Sequence, residues 1–380
     1  MNIVVNVQLL LPEKLDGIGW FTFETISRIT RWYPEHKFIL VFDRKPHASL
    51  QFPENTRCVV LPPKSRHPFL WFLRFEILLP FFLKNVKADV FVSPDGWMTL
   101  NASVPCVQVL HDLNFVHKPE GLPFWTRHYY LKLFPRYARQ ATKIGTVSDY
   151  SKQDIIQSYG VAPEKVEVMH NGCNTSYRPL GEKQDQITRM TFTAGKPFLL
   201  YVGALIPRKN IIRMLKAFDR FKEKDTRNMK LLIVGGKKNI HPHIAETIEN
   251  ITYKEDVVFL GRRQLNDLVL LYSAAEALVF VPTFEGFGIP ILEAFNAETP
   301  VITSNVSSMP EVAGEAALLI NPFSVDSITQ AMTHISTDAE LRENLIAKGR
   351  LRKKCFSWDI TAQKLWNTIE AAVQTKSGDI

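Results

Sequence analysis

Two carboxylates lie close together in one glycine-containing segment of the second half of the chain. Residues 281–300 read VPTFEGFGIPILEAFNAETP and contain Glu285 and Glu293. The apolar run before Glu285 is typical of a buried strand, and a helix is predicted to begin at Ile289 or Pro290, so that Glu285 falls in the intervening loop and Glu293 in the first turn. Both carboxylates could accept hydrogen bonds from the hydroxyls of a ribose or a sugar. The alternative is that Glu293 complements the helix dipole and Glu285 is solvated.

The residues between these carboxylates could bind an anion. Gly286 and Gly288 would let the backbone approach a ligand closely. The start of the predicted helix would expose amide groups that attract phosphate. The amides concerned belong to Phe287, Gly288 and Ile289.

A pair of cations occupies a similar position earlier in the chain. Arg208 and Lys209 lie near the end of the segment GALIPRKN, residues 203–210. This segment follows a predicted strand and precedes a predicted helix. Their charges would add to the helix dipole and suit a diphosphate. A solvated basic turn is the alternative, and a second loop of the same kind at the same sheet edge makes it less favourable.

The first half of the chain offers weaker signals. Gly17 and Gly19 follow the first predicted strand, open a predicted helix and resemble part of a dinucleotide-binding fingerprint, but Thr22 stands where the third glycine is expected. They fit a flexible loop over a phosphate or sugar better than a complete NAD site. His111 follows another predicted strand and could hydrogen-bond a sugar hydroxyl or assist proton transfer. A loop histidine without a function explains the sequence equally well.

Residues 68–83, PFLWFLRFEILLPFFL, form an unusually apolar segment. The segment is shorter than the roughly 20 residues that a membrane-spanning helix needs and is interrupted by charged residues and proline. We expect either a buried helix or a patch that docks to a membrane. Basic residues in and around the segment would favour contact with an anionic membrane. They are Arg66, Arg74, Lys84 and Lys87.

Composition excludes several classes of protein. The 380 residues are 46% hydrophobic, 22% charged and 11% aromatic, as in folded globular proteins. The net charge of +8 allows an anionic partner, but cations at a diphosphate site account for part of it, so nucleic acid is not expected. The 4 cysteines are widely spaced, which predicts neither a zinc site nor a disulfide framework and favours a cytoplasmic location.

The elements that would position these residues alternate between strands and helices. Short apolar runs separated by helix-length segments are typical of parallel strands joined by crossover helices. We predict strands at residues 3–9, 38–42, 58–61, 89–92, 104–109, 143–146, 166–169, 198–202, 230–234, 257–260, 277–281, 300–304 and 317–320. The pattern predicts two doubly wound α/β halves. The polar stretch 177–196 is the predicted boundary, and ligands should bind at the carboxyl ends of the strands.

Together these segments resemble the retaining GT-B glycosyltransferases of family 4. The resemblance covers most of the chain, and its segments occur in the family's order: GIGWFT, HDLNFVHKPE, TVSDYSKQDI, HNGCN, LYVGALIPRKN and EGFGIPILEAF. It implies an α/β fold of two Rossmann-like domains facing across a cleft. Residues 1–178 would form the acceptor-side domain, joined by a last helix at 358–380, and residues 179–357 the nucleotide-sugar-binding domain. Within the family, PRKN and EGFGIP look most like mannosyltransferases that use GDP-mannose.

The resemblance also implies roles for individual residues. Lys209 and Arg208 would neutralise the diphosphate, Glu285 would bind hydroxyls of the donor sugar, and Glu293 would bind the ribose. The amides of residues 287–289 would contact sugar and phosphate. Gly17 and Gly19 would form a mobile loop over the donor phosphates, and His111 would lie beside the sugar. His111 and Glu285 are the catalytic candidates.

The implied reaction is retaining transfer of a hexose, mannose by the subgroup resemblance, from a GDP-sugar or UDP-sugar. The acceptor would be a glycan or a lipid-linked saccharide used in cell-surface polysaccharide or glycoconjugate synthesis, at the inner face of an anionic membrane. No D-x-D sequence occurs, so no metal or other cofactor is expected. Ala204 stands where many relatives have a basic residue, and Glu298 where many have glycine. A sugar-nucleotide epimerase or hydrolase, or a non-catalytic nucleotide-binding protein, remains the alternative.

Overall fold

The computed structural model describes residues 1–11, 15–64, 67–119, 122–236 and 241–377. The chain forms two compact units. The first contains Met1–Asn171 and the C-terminal segment from Ser357, and the second is Gly172–Phe356. The stretch 177–196 lies within the second unit, and most of it forms a helix, Glu182–Thr193.

Each unit is built on one parallel sheet. In the described residues the first sheet has 7 strands in the order β3-β2-β1-β4-β5-β6-β7, and the second has 6 in the order β10-β9-β8-β11-β12-β13. The strands are β1 Asn2–Asn6, β2 Lys37–Phe42, β3 Thr56–Val60, β4 Val90–Ser93, β5 Cys106–Val109, β6 Lys143–Thr146, β7 Val166–Val168, β8 Phe198–Val202, β9 Lys230–Val234, β10 Val257–Gly261, β11 Ala277–Phe280, β12 Val301–Ser304 and β13 Leu318–Ile320.

Helices connect the strands of both sheets. They are α1 Gly17–Trp32, α2 Pro68–Phe72, α3 Leu79–Asn85, α4 Asn114–His117, α5 Phe124–Gln140, α6 Asp149–Tyr159, α7 Glu182–Thr193, α8 Ile211–Lys222, α9 Pro242–Asn250, α10 Leu265–Ala274, α11 Ile289–Ala297, α12 Met309–Ala313, α13 Val325–Thr337, α14 Ala339–Arg352 and α15 Trp358–Ser377. A π-helical turn, Leu73–Leu78, joins α2 to α3. In the described residues, no helix is both long and apolar enough to cross a membrane.

The predicted α/β class with two doubly wound halves is confirmed. All 13 predicted strands are present, and the apolar runs are buried in the central strands of the two sheets, whereas the edge strands β3 and β13 are partly exposed. The first strand is shorter than predicted, since β1 ends at Asn6 and residues 8 and 9 form a turn. Helix α15 packs on the first unit, where the buried Trp366 ring stacks on Tyr33 at a centroid distance of 3.8 Å.

Residues 68–83 are buried on one side and exposed on the other, so the segment is not buried all round. Trp71 and Phe75 pack against Trp97 in the core, whereas Phe69 and Phe81 are exposed. Arg74 corrects the expectation of a surface cation: its side chain is 1% exposed, and its guanidinium donates to the Leu61 carbonyl. Arg66 lies outside the described residues.

Candidate functional site

The strand order of the second sheet places two loops side by side. The order reverses between β8 and β11, which are hydrogen-bonded neighbours. In open parallel sheets, such a reversal separates the loops that follow the two strands and creates a crevice for ligands. The loop after β8 carries Arg208 and Lys209, and the loop after β11 carries Glu285. The sheet topology therefore brings together side chains that are more than 70 residues apart in sequence.

Arg208, Lys209 and Glu285 form one ionic cluster. The Arg208 Nη1 and the Lys209 Nζ donate to the same carboxylate oxygen, Glu285 Oε2, at 2.6 and 2.5 Å. The side chains are 22%, 10% and 15% exposed, so the charges are only partly solvated. The three side chains of the cluster together carry a charge of +1, which suits an anionic ligand.

The cluster fixes the ionisation of its carboxylate. Burial alone would raise the pKa of Glu285, but Lys209 and Arg208 outweigh it and hold the pKa below its ordinary value. The Lys209 ammonium also lies 4.8 Å from the centroid of the Phe280 ring, in cation–π contact. Glu285 is therefore ionised at neutral pH, and its charge orients both cations.

Asn210 follows Arg208 and Lys209 and ties their loop to the segments that contain Val281 and Pro322. The sequence did not single out this residue. Its backbone is left-handed, with φ 64°, and it marks the start of α8. The buried side-chain amide donates to the Val281 carbonyl at 3.0 Å and to the Pro322 carbonyl at 2.7 Å. Asparagine adopts this conformation more readily than most residues, so the residue type was the available signal.

We expect Asn210→Ala to lower the free energy of unfolding by about 1–3 kcal/mol, because two buried carbonyls lose their donor. Asn210→Gly loses the same bonds but tolerates the positive φ, so it should be more stable than Asn210→Ala by about 1 kcal/mol. Chemical denaturation of both variants measures the difference. Equal stabilities would show that backbone strain at this position is negligible.

The start of helix α11 presents the predicted amide groups. Gly288 precedes the helix in a left-handed conformation, with φ 104°, and a Cβ there would meet the Met309 Cε at 2.8 Å. Pro290 has no N–H, and the Ile291 amide donates to the Gly288 carbonyl at 3.0 Å. The Ile289 amide therefore stands at the helix N-terminus, where intrahelical acceptors are missing.

The loop before α11 is fixed by its side chains. Phe287 is 3% exposed and packs edge-on against Phe356. The Ser308 hydroxyl lies 2.8 Å from the Glu285 carbonyl and 3.2 Å from that of Phe287. Phe287 thus contributes its backbone to the loop surface and its ring to the core.

Helix α11 begins at Ile289, one of the two predicted starts, and Glu293 lies in its second turn, not in the first as predicted. A complement to the helix dipole is therefore a weak explanation for it, since that effect fades beyond the first turn. Its carboxylate accepts a hydrogen bond from the Tyr272 hydroxyl at 2.6 Å, and Tyr177 is a second donor. Burial raises the pKa of Glu293, against the opposing effect of the two tyrosines. Sequence reasoning found neither tyrosine.

The sheet of the first unit also contains a reversal of strand order. Its strand order reverses between β1 and β4. His111 follows the neighbouring strand β5, and its Nε2 lies 2.8 Å from the Pro94 carbonyl, which follows β4. A carbonyl can only accept, so Nε2 carries the proton and Nδ1 is the acceptor nitrogen. Burial lowers the pKa of His111, which keeps the ring neutral at pH 7.

Gly17 and Gly19 form the first turn of helix α1, which corrects the prediction of a mobile loop. Asp16 caps this helix, and its Oδ1 accepts from the Gly19 amide at 3.0 Å. A Cβ on Gly19 would lie 2.8 Å from the Leu15 Cδ2, so the glycine allows close packing. The Phe21 ring, one turn from the start of α1, packs edge-on against His111 with centroids 5.0 Å apart. Helix α1 therefore begins beside His111.

The two residues that depart from the family pattern are accommodated locally. Glu298 ends α11 in a left-handed conformation, with φ 61°, where glycine would be unstrained, and it pairs with Arg350 at 2.5 Å. Ala204 is exposed in the loop after β8, and its carbonyl accepts from Tyr201.

Two protein-family models match the chain. The model described as glycosyl transferases group 1 matches residues 182–352. The model described as glycosyltransferase family 4 matches residues 16–177. The two matches lie one after the other along the chain. The glycosyl transferases group 1 match contains the ionic cluster and the start of α11.

Individual proteins resemble the chain over most of its length. The O-antigen chain mannosyltransferase B of Escherichia coli is 32% identical over 279 residues, which cover 73% of each chain. The O-antigen chain mannosyltransferase RfbU of Salmonella typhimurium is 31% identical over 280 residues, covering 72% of this chain and 71% of the relative. A solved Anabaena structure, Alr3699/HepE in complex with UDP and glucose, has a TM-score of 0.74 at 17% identity and covers 97% and 99% of the two chains.

Proposed function

Because the chain belongs to the group 1 and family 4 glycosyltransferases of GT-B fold, we propose that it transfers mannose from a nucleotide-diphospho-sugar to a saccharide acceptor, with retention of the anomeric configuration. The acceptor is a growing glycan or a lipid-linked saccharide of a cell-surface polysaccharide such as O-antigen. Two relatives that are more than 30% identical to the chain support mannose, since both are named O-antigen mannosyltransferases.

The observation that carries this proposal is the ionic cluster beside the N-terminus of α11. Sugar transfer breaks the bond between the sugar and a nucleoside diphosphate, whose terminal phosphate gains negative charge as it leaves. Arg208 and Lys209 stabilise that charge best in the transition state, because their positions are fixed before reaction by Glu285. The Ile289 amide adds a donor that the helix leaves without an internal partner.

We propose that the reaction needs no metal ion. In metal-dependent transferases, a divalent cation screens the diphosphate. Here the cluster retains a charge of +1 after Glu285 is counted, and both cations are held within hydrogen-bonding distance of one carboxylate oxygen. Transfer activity that survives exhaustive treatment with EDTA would support this part of the proposal, and activity restored only by Mg²⁺ or Mn²⁺ would overturn it.

The remaining candidates bind the sugars rather than the phosphates. Glu293, held by Tyr272 and Tyr177, presents a carboxylate suited to a ribose hydroxyl. In the first unit, His111 is neutral with its proton on Nε2, so it cannot act as a general acid in this state. We propose that its Nδ1 accepts a hydrogen bond from a sugar hydroxyl.

Nucleotide binding provides the direct test. We expect GDP to raise the melting temperature by roughly 5–10 °C when present at about 100 times its Kd, and UDP or ADP to have little effect. A shift with UDP alone would contradict the proposed GDP-mannose donor. A shift with none of the three would contradict nucleotide-sugar transfer altogether.

The chemical outcome needs a second measurement. Incubation with GDP-mannose and a saccharide acceptor should yield an α-linked mannoside, the configuration of the donor, as read by NMR. Release of free mannose or of an epimerised sugar nucleotide at the same rate without acceptor would instead indicate a hydrolase or an epimerase.

A further inference from the structure

An apolar stripe runs along the outer side of the segment from α2 to α3 in the first unit. The side chains of the inner side are buried in the core, and they are Trp71, Phe75, Leu79 and Leu83. Those of the outer side are 69%, 47%, 43% and 65% exposed, and they are Phe69, Phe72, Ile77 and Phe81. We refer to these four exposed residues as the outer stripe.

The π-helical turn Leu73–Leu78 keeps both sides in register. The buried residues recur at every fourth position, a spacing longer than the 3.6 residues of an α-helical turn. A regular helix would rotate them away from the core, and a wider π turn compensates for that drift. The same turn places Ile77 five positions after Phe72 on the outer side. The π-helical turn therefore keeps the inner side of the segment in the core and leaves the outer side at the surface.

Helix α5 adds two exposed aromatic rings beside this stripe. Phe124 and Trp125, at the start of the helix, are 71% and 64% exposed. Tyr129 of the same helix packs edge-on against Trp71, with centroids 5.3 Å apart. Tyr137 lies 2.7 Å from the Glu76 carboxylate. Since later residues of α5 contact later residues of the α2–α3 segment, Phe124 and Trp125 lie at the end of the segment that carries Phe69.

Cations accompany the exposed rings. The sequence of α5, FWTRHYYLKLFPRYARQ, contains no Asp or Glu, and the one acid of the α2–α3 segment, Glu76, is buried and hydrogen-bonded to Tyr137. In the part of the chain that the structure describes, four exposed basic side chains here form no ion pair with a carboxylate. They are Lys84, Arg127, Lys132 and Arg136.

We propose that the outer stripe, Phe124, Trp125 and these four cations form a docking surface for a bilayer rich in anionic lipid. The proposal deepens the proposed function and rests on it in one respect, since a lipid-linked acceptor would be reached from the same bilayer surface.

The chemistry of the surface favours lipid over a protein partner. At roughly 200 Å² per aromatic side chain, the five exposed rings present on the order of 600 Å² of apolar surface. That reaches the upper end of the largest patch on typical monomers, roughly 300–600 Å². Exposed Phe and Trp side chains beside Lys and Arg are typical of interfacial membrane-binding helices. Protein interfaces, in contrast, are depleted in lysine at their centres.

Co-sedimentation with vesicles tests the proposal. We expect the full chain to bind vesicles of equal parts phosphatidylglycerol and phosphatidylethanolamine at low salt, and phosphatidylcholine vesicles much more weakly. Phe124→Ser combined with Trp125→Ser should reduce the partition coefficient by at least about tenfold. Lys132→Glu combined with Arg136→Glu should reduce it by at least about fivefold per charge, with a weaker salt dependence than the wild type.

Leu351→Ser is the matched control, because Leu351 is an apolar side chain 67% exposed in the second unit. It should bind vesicles like the wild type, and all variants should melt at the wild-type temperature because the replaced side chains are exposed. No binding by the wild type, equal binding to phosphatidylcholine, or wild-type binding by the aromatic double variant would overturn the proposal. The proposal would also be overturned if the wild type were a dimer and the aromatic double variant a monomer, because the docking surface would then bind a second copy of this chain.

The docking surface and the transferase activity can fail separately. The aromatic double variant should transfer sugar to a water-soluble acceptor at the wild-type rate and lose activity only toward a lipid-linked acceptor in vesicles. Vesicle binding without any sugar transfer would overturn the proposed function but would still support the proposed docking surface. Sugar transfer without vesicle binding would support the proposed function and overturn the proposed docking surface.

Discussion

Replacing Lys209 with methionine is expected to lower the rate of sugar transfer by about 10²–10³-fold while the protein remains folded. Methionine keeps the length and most of the apolar contact of the lysine stem, including its place over Phe280, but removes the ammonium group. Glu285 keeps one cationic partner, Arg208 at 2.6 Å, so the variant does not contain an unpaired buried carboxylate. The loss should therefore appear in catalysis more than in stability.

The kinetic constants separate two roles for this lysine. A cation that stabilises the departing diphosphate lowers kcat when it is removed, whereas one that only binds the donor raises KM. Lys216→Met is the matched control, since Lys216 is an exposed lysine on the adjacent helix α8. Lys209→Met with wild-type kcat and KM, or Lys216→Met with the same loss, would show that the cluster has no specific role.

Much of the fold could be predicted because parallel strands buried on both faces need continuous apolar runs. Runs such as residues 198–202 and 230–234 lie in the centre of a sheet, where a polar residue would be costly. For both of these strands, the predicted first and last residues match the structure. Glycine, proline and charged residues after such runs then mark the carboxyl edge. This was sufficient to place Arg208, Lys209 and Glu285 at one edge of the sheet.

The partners of the site residues could not be predicted in the same way. Tyr272 lies 21 residues before Glu293, and its hydroxyl reaches the carboxylate only through the packing of α10 against α11. Asn210 holds two carbonyls, one of them 112 residues away. Neither contact has a periodic or local sequence signal. A polar residue at the end of a helix looks the same whether its side chain meets solvent or a buried carbonyl.

The errors at helix starts have a related cause. Gly17 and Gly19 were expected in a mobile loop, but the Asp16 cap extends the helix to include both glycines. Glu293 was expected in a first turn, but α11 begins at Ile289, one of the two predicted starts, and Glu293 falls in its second turn. Glycine and proline mark the neighbourhood of a helix start, and at α1 the hydrogen bond that Asp16 accepts determines where the helix begins.

Glu285→Gln is expected to have opposite effects on two measurements. The rate of transfer should fall by about 10²–10³-fold, because the uncharged side-chain amide of glutamine accepts only neutral hydrogen bonds and holds Arg208 and Lys209 in position much less firmly than the carboxylate does. The local charge, however, rises from +1 to +2. GDP should therefore bind about fivefold more tightly, a gain of about 1 kcal/mol, even though the enzyme is nearly inactive.

Stability measurements make this prediction specific. Without ligand, Glu285→Gln places two cations together without their carboxylate, so its melting temperature should be below that of the wild type. GDP supplies the missing negative charge, so the shift on adding GDP should be larger in the variant. Glu315→Gln is the control, since Glu315 is an 89% exposed partner of Lys348 and should change neither quantity. Weaker GDP binding by Glu285→Gln would mean that the carboxylate contributes to nucleotide binding by orienting the cations, and that this orientation outweighs their net charge.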